Sequence, residues 1–183
     1  NEEGMLEVGR QTISIDPFVF SDKRCLLTWA RSQGHTQSLR DGYLPIPKVT
    51  RHHKEEDVDV DLSVETFAVG EQKSSTLYAR YTVTNTGKRR ETGKLFLALR
   101  QFQVNPPWQF LNTPGGFTPV HGMNHAGDTV YVSDKDCQSN ADALRIVSLT
   151  KAENACTANA GFLVEYTTHV HCDWRGTDVD PLF

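Results

Sequence analysis

Between Asp57 and Glu65 the chain alternates without a break. Val58, Val60, Leu62 and Val64 are apolar, and Asp57, Asp59, Asp61, Ser63 and Glu65 lie between them. A period of two puts the aliphatic side chains on one face of an extended strand and the acids on the other, a segregation no helix gives. The segment is expected to turn its valines and Leu62 into a core and its acids into water. Leu77–Thr84 repeats the pattern with β-branched and aromatic residues, and Asn85-Thr86-Gly87-Lys88 after it is built from residues that tolerate positive φ. Leu95–Leu99 is apolar at every position, so it is expected to be covered on both faces and to pair antiparallel with Leu77–Thr84.

Further strands are expected at Thr12–Ile15, Phe18–Phe20, Cys25–Trp29, Thr129–Val132, Leu144–Leu149 and Phe162–His171. Only Asn140–Ile146 and Lys151–Ala158 have the alanine and polar content of a short helix, and neither sustains a 3.6-residue period. Many short strands divided by Gly, Pro, Asn and Asp clusters predict a mainly β chain, an antiparallel sandwich with at most one or two short helices. Three stretches read as long connections, roughly Arg31–Glu56, Asn105–Asn124 and Ser133–Ala141, and long loops on a rigid sandwich are where binding usually resides.

At 183 residues the chain suits one domain, residues 1–183, with enough core to fold without a metal or disulfide staple. Its ends, Asn1-Glu2-Glu3-Gly4-Met5 and Asp180-Pro181-Leu182-Phe183, read as cuts in a longer multidomain protein. A net charge of −4 with interspersed signs gives no basic footprint for nucleic acid, and no apolar run is long enough to span a bilayer. Neither nucleic acid nor membrane is expected as a partner. Cys25, Cys137, Cys156 and Cys172 match no zinc or redox spacing. Cys137 and Cys156 could bridge or remain thiols, which leaves the compartment open, a periplasmic or secreted location included.

Two stretches carry a family resemblance. One is Ser38-Leu39-Arg40-Asp41-Gly42-Tyr43-Leu44-Pro45-Ile46-Pro47. The other runs from Leu77–Gly87 through Leu95–Arg100 to Phe102-Gln103-Val104-Asn105-Pro106-Pro107-Trp108-Gln109-Phe110-Leu111-Asn112-Thr113-Pro114-Gly115-Gly116. Together they resemble a β-sandwich module of large bacterial proteins that join it to an (α/α)6-barrel region and sometimes to discoidin-type modules. Arg80–Gly87 also resembles a strand and turn of the supersandwich domains that precede the barrel in glucoamylase-like hydrolases and cellobiose-phosphorylase-like enzymes. The resemblance spans roughly Leu26–Met123, with the Asn-Pro-Pro-Trp-Gln-Phe block its most specific part. In those enzymes the catalytic carboxylates belong to the barrel. The resemblance therefore implies a non-catalytic accessory domain of a carbohydrate-active, glycoside-hydrolase-like protein, with the helical barrel and carbohydrate as its partners. An autonomous carbohydrate-binding module is the alternative, and a small sugar-modifying enzyme a third reading.

The residues themselves suit a sugar. Pro106 and Pro107 stiffen the exit from an apolar strand and present Trp108 beside Asn105, Gln109 and Asn112, a flat apolar face with amides around it. Arg100 and Gln103 at the strand end add donors. Trp108 could equally plug one end of the core. Asp41 and Tyr43, ahead of Pro45 and Pro47, form a turn leading into an edge-like extended segment, and Asp41 suits an Asx-turn better than acid–base catalysis with Glu91 or Asp173. A glycosidase needs two carboxyls at a fixed separation, which no motif here supplies, so no catalytic residue is assigned. His169 and His171 with Asp173, His52-His53, and His121 with His125 are candidate metal ligands without a third ligand set by spacing. No metal or other cofactor is expected.

Overall fold

The computed structural model describes residues 4–7, 13–21, 26–27, 34–55, 58–71, 74–100, 122–133 and 144–150. The described part is mainly β and sandwich-like, with antiparallel sheets throughout and no helix. Its strands are β1 (Leu6–Glu7), β2 (Ser14–Ser21), β3 (Leu26–Leu27), β4 (His35–Arg40), β5 (Leu44–Glu55), β6 (Val58–Glu71), β7 (Ser74–Asn85), β8 (Gly93–Arg100), β9 (Gly122–Ala126), β10 (Thr129–Ser133) and β11 (Leu144–Val147).

The largest sheet is a meander in the order β4-β5-β6-β7. Alternation in β6 is realised as expected: Val58, Val60, Leu62 and Val64 are buried, Leu62 completely, while Asp59, Asp61, Ser63 and Glu65 are only partly covered. β5 and β7 flank this half of β6, with Val49 opposite Val64, Arg51 opposite Leu62, and Tyr81 opposite Val64. On the outer face Glu65 accepts from Arg40 at 3.2 Å and lies 3.6 Å from Arg80.

The second sheet is centred on β2, which carries β8 along one edge and β1 and β3 at the two ends of the other. Pro17 falls between the β1 pairing at Ser14–Ile15 and the β3 pairing at Phe20–Ser21, where its missing N–H breaks neither ladder. Ile13, Ile15, Phe18 and Val19 are buried, and Phe18 stacks on Phe96 of β8 with ring centroids 5.4 Å apart. The two sheets meet across Arg51, whose guanidinium leaves β5 to reach Asp16 and the Pro17 carbonyl on β2. Residues 129–133 and their neighbours form a three-stranded sheet in the order β11-β10-β9.

Four sequence expectations are corrected. Leu77–Thr84 does not pair with Leu95–Leu99: β7 pairs with β6, and β8 with β2. The connection between them anchors back on β6, because the Thr86 and Gly87 amides both donate to the Asp59 carbonyl, at 2.9 and 3.2 Å. Asn85 closes the turn, accepting from the Gly87 amide and donating to the Arg89 carbonyl. β8 thus leaves for the other sheet, where Leu95, Phe96 and Leu97 are 39–45% exposed instead of covered on both faces. The stretch Arg31–Glu56 is no loop, since it contains β4 and β5, and the connections read at Asn105–Asn124 and Ser133–Ala141 likewise overlap β9 and β10 at their ends. Where the strand expected at Leu144–Leu149 and the short helix expected at Asn140–Ile146 overlap, Leu144–Ile146 is strand, because pairing with β10 overrides weak local propensity. Phe162–His171 and Lys151–Ala158 lie outside the described residues.

Candidate functional site

The β4–β5 hairpin presents two of the residues read from sequence. Asp41 and Gly42 both have positive φ, 54° and 79°, and the Gly42 and Tyr43 amides donate back to the Leu39 and Arg40 carbonyls. Two such residues in succession make the tight turn that suits a twisted hairpin. Pro45 and Pro47 follow where, among the described residues, β5 has β4 as its only ladder partner, since pairing with β6 begins at Lys48. The segment is therefore edge-like, as its prolines require. At this tip Tyr43 is 75% exposed, an aromatic face on the same hydrogen-bonded turn as Asp41.

A second feature occupies the far end of β5. An open groove of about 360 Å³ is lined by His52, His53, Lys54, Asp59, Asp61 and Thr86. His52 Nδ1 lies 2.8 Å from Asp61 Oδ1, and its Nε2 lies 3.3 Å from Thr36 Oγ1. A carboxylate only accepts, so the N–H at Nδ1 of His52 donates to Asp61, and in that tautomer Nε2 accepts a hydrogen bond from the Thr36 hydroxyl. Hydroxyl, imidazole and carboxylate stand in the order of a proton relay. His52 is 44% exposed, however, and water competes for each group, so the chain serves to tie β4, β5 and β6 together across their outer face.

Behind the groove the inner face is polar. His53 shares the face of Val60, and its buried Nε2 makes no hydrogen bond. Burial, followed by repulsion from Arg51, lowers its pKa from 6.5 to about 4, against a smaller opposing pull from Asp61. His53 is therefore neutral under physiological conditions. The Tyr81 hydroxyl is likewise buried without a hydrogen-bond partner, and burial together with the Asp16 charge pushes the phenol far above its ordinary range. Arg51 NH1 donates to the Pro17 carbonyl at 2.8 Å and NH2 to Asp16 Oδ1 at 3.2 Å, both side chains being 1% exposed. So enclosed among the described residues, the pair joins the two sheets.

The remaining sequence candidates divide. Trp108, Asn105, Gln109, Asn112 and Gln103 lie outside the described residues, as do His121, His169, His171 and Asp173. Arg100 ends β8 opposite Ser14, and His125 lies in β9 opposite Val130. Adjacent in β5, His52 and His53 face opposite sides, and among the described residues no three potential ligands converge on a metal position. The groove pairing of His52 with Asp61 escaped the sequence reading. The only signal for it is the phase of the two residues on their strands, which has meaning once β5 and β6 are known to pair.

No family model matches the chain, and no curated protein or solved structure does either.

Proposed function

We propose that this chain is a non-catalytic accessory β-sandwich domain of a carbohydrate-active protein, one that packs beside a helical-barrel domain and contributes to sugar binding. The observation that carries the reading is Tyr43, displayed to solvent on a turn with two positive-φ residues and flanked by Asp41. An aromatic ring on stiff backbone offers a flat face to the C–H side of a sugar at low entropic cost, and the neighbouring carboxylate accepts hydrogen bonds from its hydroxyls. Asp41 and Tyr43 belong to one of the two stretches that carry the family resemblance. Trp108 and its amide neighbours belong to the other and form the second part of the proposed surface.

The test is calorimetry of the domain against a panel of oligosaccharides, beside an assay with aryl-glycosides. Binding between millimolar and micromolar is expected, about −4 to −8 kcal/mol, with no turnover. Tyr43→Ala should weaken it about tenfold while leaving the melting temperature unchanged, since the ring touches no core. Turnover, or oligosaccharide affinity indifferent to both Tyr43→Ala and Trp108→Ala, would reject the proposal. Joining the domain to its neighbouring barrel should tighten this binding, whereas an affinity unchanged by the neighbour favours an autonomous carbohydrate-binding module.

A further inference from the structure

β7 closes the four-stranded meander on one side, and among the described residues no strand pairs with its outer edge. The edge is twelve residues long, from Ser74 to Asn85, and its register with β6 runs from Asn85 opposite Val60 to Ser74 opposite Glu71 without a bulge. It contains no proline and a single charge, Arg80. Proteins that must keep an edge unpaired shorten it, bulge it, or load it with charge and proline, and β7 does none of these.

The outer half of this edge is also poorly covered. β5 accompanies β6 only as far as Glu65, so Thr66–Glu71 and Ser74–Ala79 form a two-stranded ribbon. Phe67 and Tyr78 stack on one of its faces at 5.0 Å and remain 41% and 40% exposed, and Val69 is 56% exposed. Two strands alone are marginal in water, and further strands beside them relieve that.

The direction of the free amides follows from one bond. Thr86, opposite Asp59 in the continued register, donates its N–H to the Asp59 carbonyl. Antiparallel pairs alternate, so even-numbered residues of β7 turn their backbone groups toward β6. Ser75, Leu77, Ala79, Tyr81 and Val83 then turn N–H and C=O outward.

We propose that the outer edge of β7 pairs antiparallel with β7 of a second copy of this chain, about a two-fold axis passing through Ala79. Self-complementarity chooses this occupant and this register. A two-fold axis normal to the sheet maps each face onto itself, so only residues of like parity can oppose one another. Centring on Arg80 sets two guanidinium groups face to face, which is destabilising. Centring on Tyr78 shortens the shared ladder. Centring on Ala79 opposes Tyr78 to Arg80, a cation–π pair, and Thr76 to Thr82 on the outer face, with Leu77 opposite Tyr81 on the inner. Five outward-facing residues per copy then make about ten backbone hydrogen bonds, and the exposed ribbon becomes four strands wide. The pairing is separate from sugar recognition at the β4–β5 tip and holds whatever that tip binds.

Sedimentation velocity on the full chain, from low to high micromolar concentration, tests the pairing, with amide exchange measured at both ends of the range. The expected result is a reversible dimer in which the Leu77, Ala79 and Tyr81 amides are protected only at high concentration. Ala79→Pro removes an outward N–H and spares the β6 ladder, so association should weaken about tenfold or more. Leu77→Lys provides the same test should the proline variant fail to fold. A strictly monomeric chain, open-ended assemblies, or a dimer whose β7 amides exchange equally at all concentrations would overturn the proposal.

Discussion

Removing the Asp16 carboxylate takes an ion-pair partner from the Arg51 guanidinium, which is fully buried among the described residues. The Arg51 guanidinium sits between the sheets, fully buried, with Asp16 at 3.2 Å and the Pro17 carbonyl at 2.8 Å. In Asp16→Ala the guanidinium keeps its hydrogen bond to Pro17 but loses the Asp16 charge, and it cannot shed its proton. Taking one partner from a buried pair costs about 3–5 kcal/mol, against a total stability of about 5–15 kcal/mol for a domain. Arg51→Met should be milder, because an abandoned carboxyl group can neutralise itself by taking up a proton. Asp16→Leu combined with Arg51→Met should fall close to the parent, since a well-packed apolar pair removes both desolvation penalties. Urea unfolding followed by circular dichroism on the parent and the three variants compares the two single losses with the paired replacement. An Asp16→Ala protein within about 1 kcal/mol of the parent would show that the pair is solvated and that the sheets are not joined there.

Val60→Asp places an unpaired charge among Val58, Leu62 and Val64 and should largely unfold the domain, whereas Asp59→Ser should be near neutral; a soluble Val60→Asp protein with an unchanged melting temperature would reverse the assigned faces. His53 binds its proton less readily folded than unfolded, so its contribution is whole above pH 6.5 and is lost as the pH falls toward 4. At 1.36 kcal/mol for each pKa unit the full shift is worth about 3 kcal/mol, solvent screening of this partly exposed ring reduces the loss below that, and His53→Phe should flatten this stretch of the pH–stability curve. A parent protein equally stable at pH 7 and pH 4 would contradict the burial of His53.

The parts legible in sequence are those where burial follows side-chain chemistry. Val58–Val64 announced both its strand and its inward face, and Asp41-Gly42 announced its turn. β5 stayed hidden because its inward positions hold Val49, Arg51 and His53. A buried arginine breaks the apolar period that marks a strand, and Pro45 and Pro47 marked no more than a short edge-like segment. The ion pair left no trace either, since Asp16 and Arg51 are far apart along the chain and meet only when two sheets close. The misplaced partner of β8 has a related cause: neighbours in sequence usually pair, but Asn85 and Asp59 bind the chain after β7 to the near sheet before it crosses. Of the proposed sugar surface, the Asp41–Tyr43 tip is where sequence reading and geometry meet.

The meander β4-β5-β6-β7 joins only consecutive strands, whereas β2 and β8 pair Ser14 with Arg100 and Ser21 with Gly93 across most of the intervening chain. Loop-closure entropy sets these two sheets on different clocks. Three successive hairpins can zip while the chain ends still diffuse, and β2 with β8 must wait for a surface on which to land. During that interval Arg51 stands in water on the open face of the meander. Its dehydration is therefore expected late in folding, when β2 brings Asp16 across and the inner face closes.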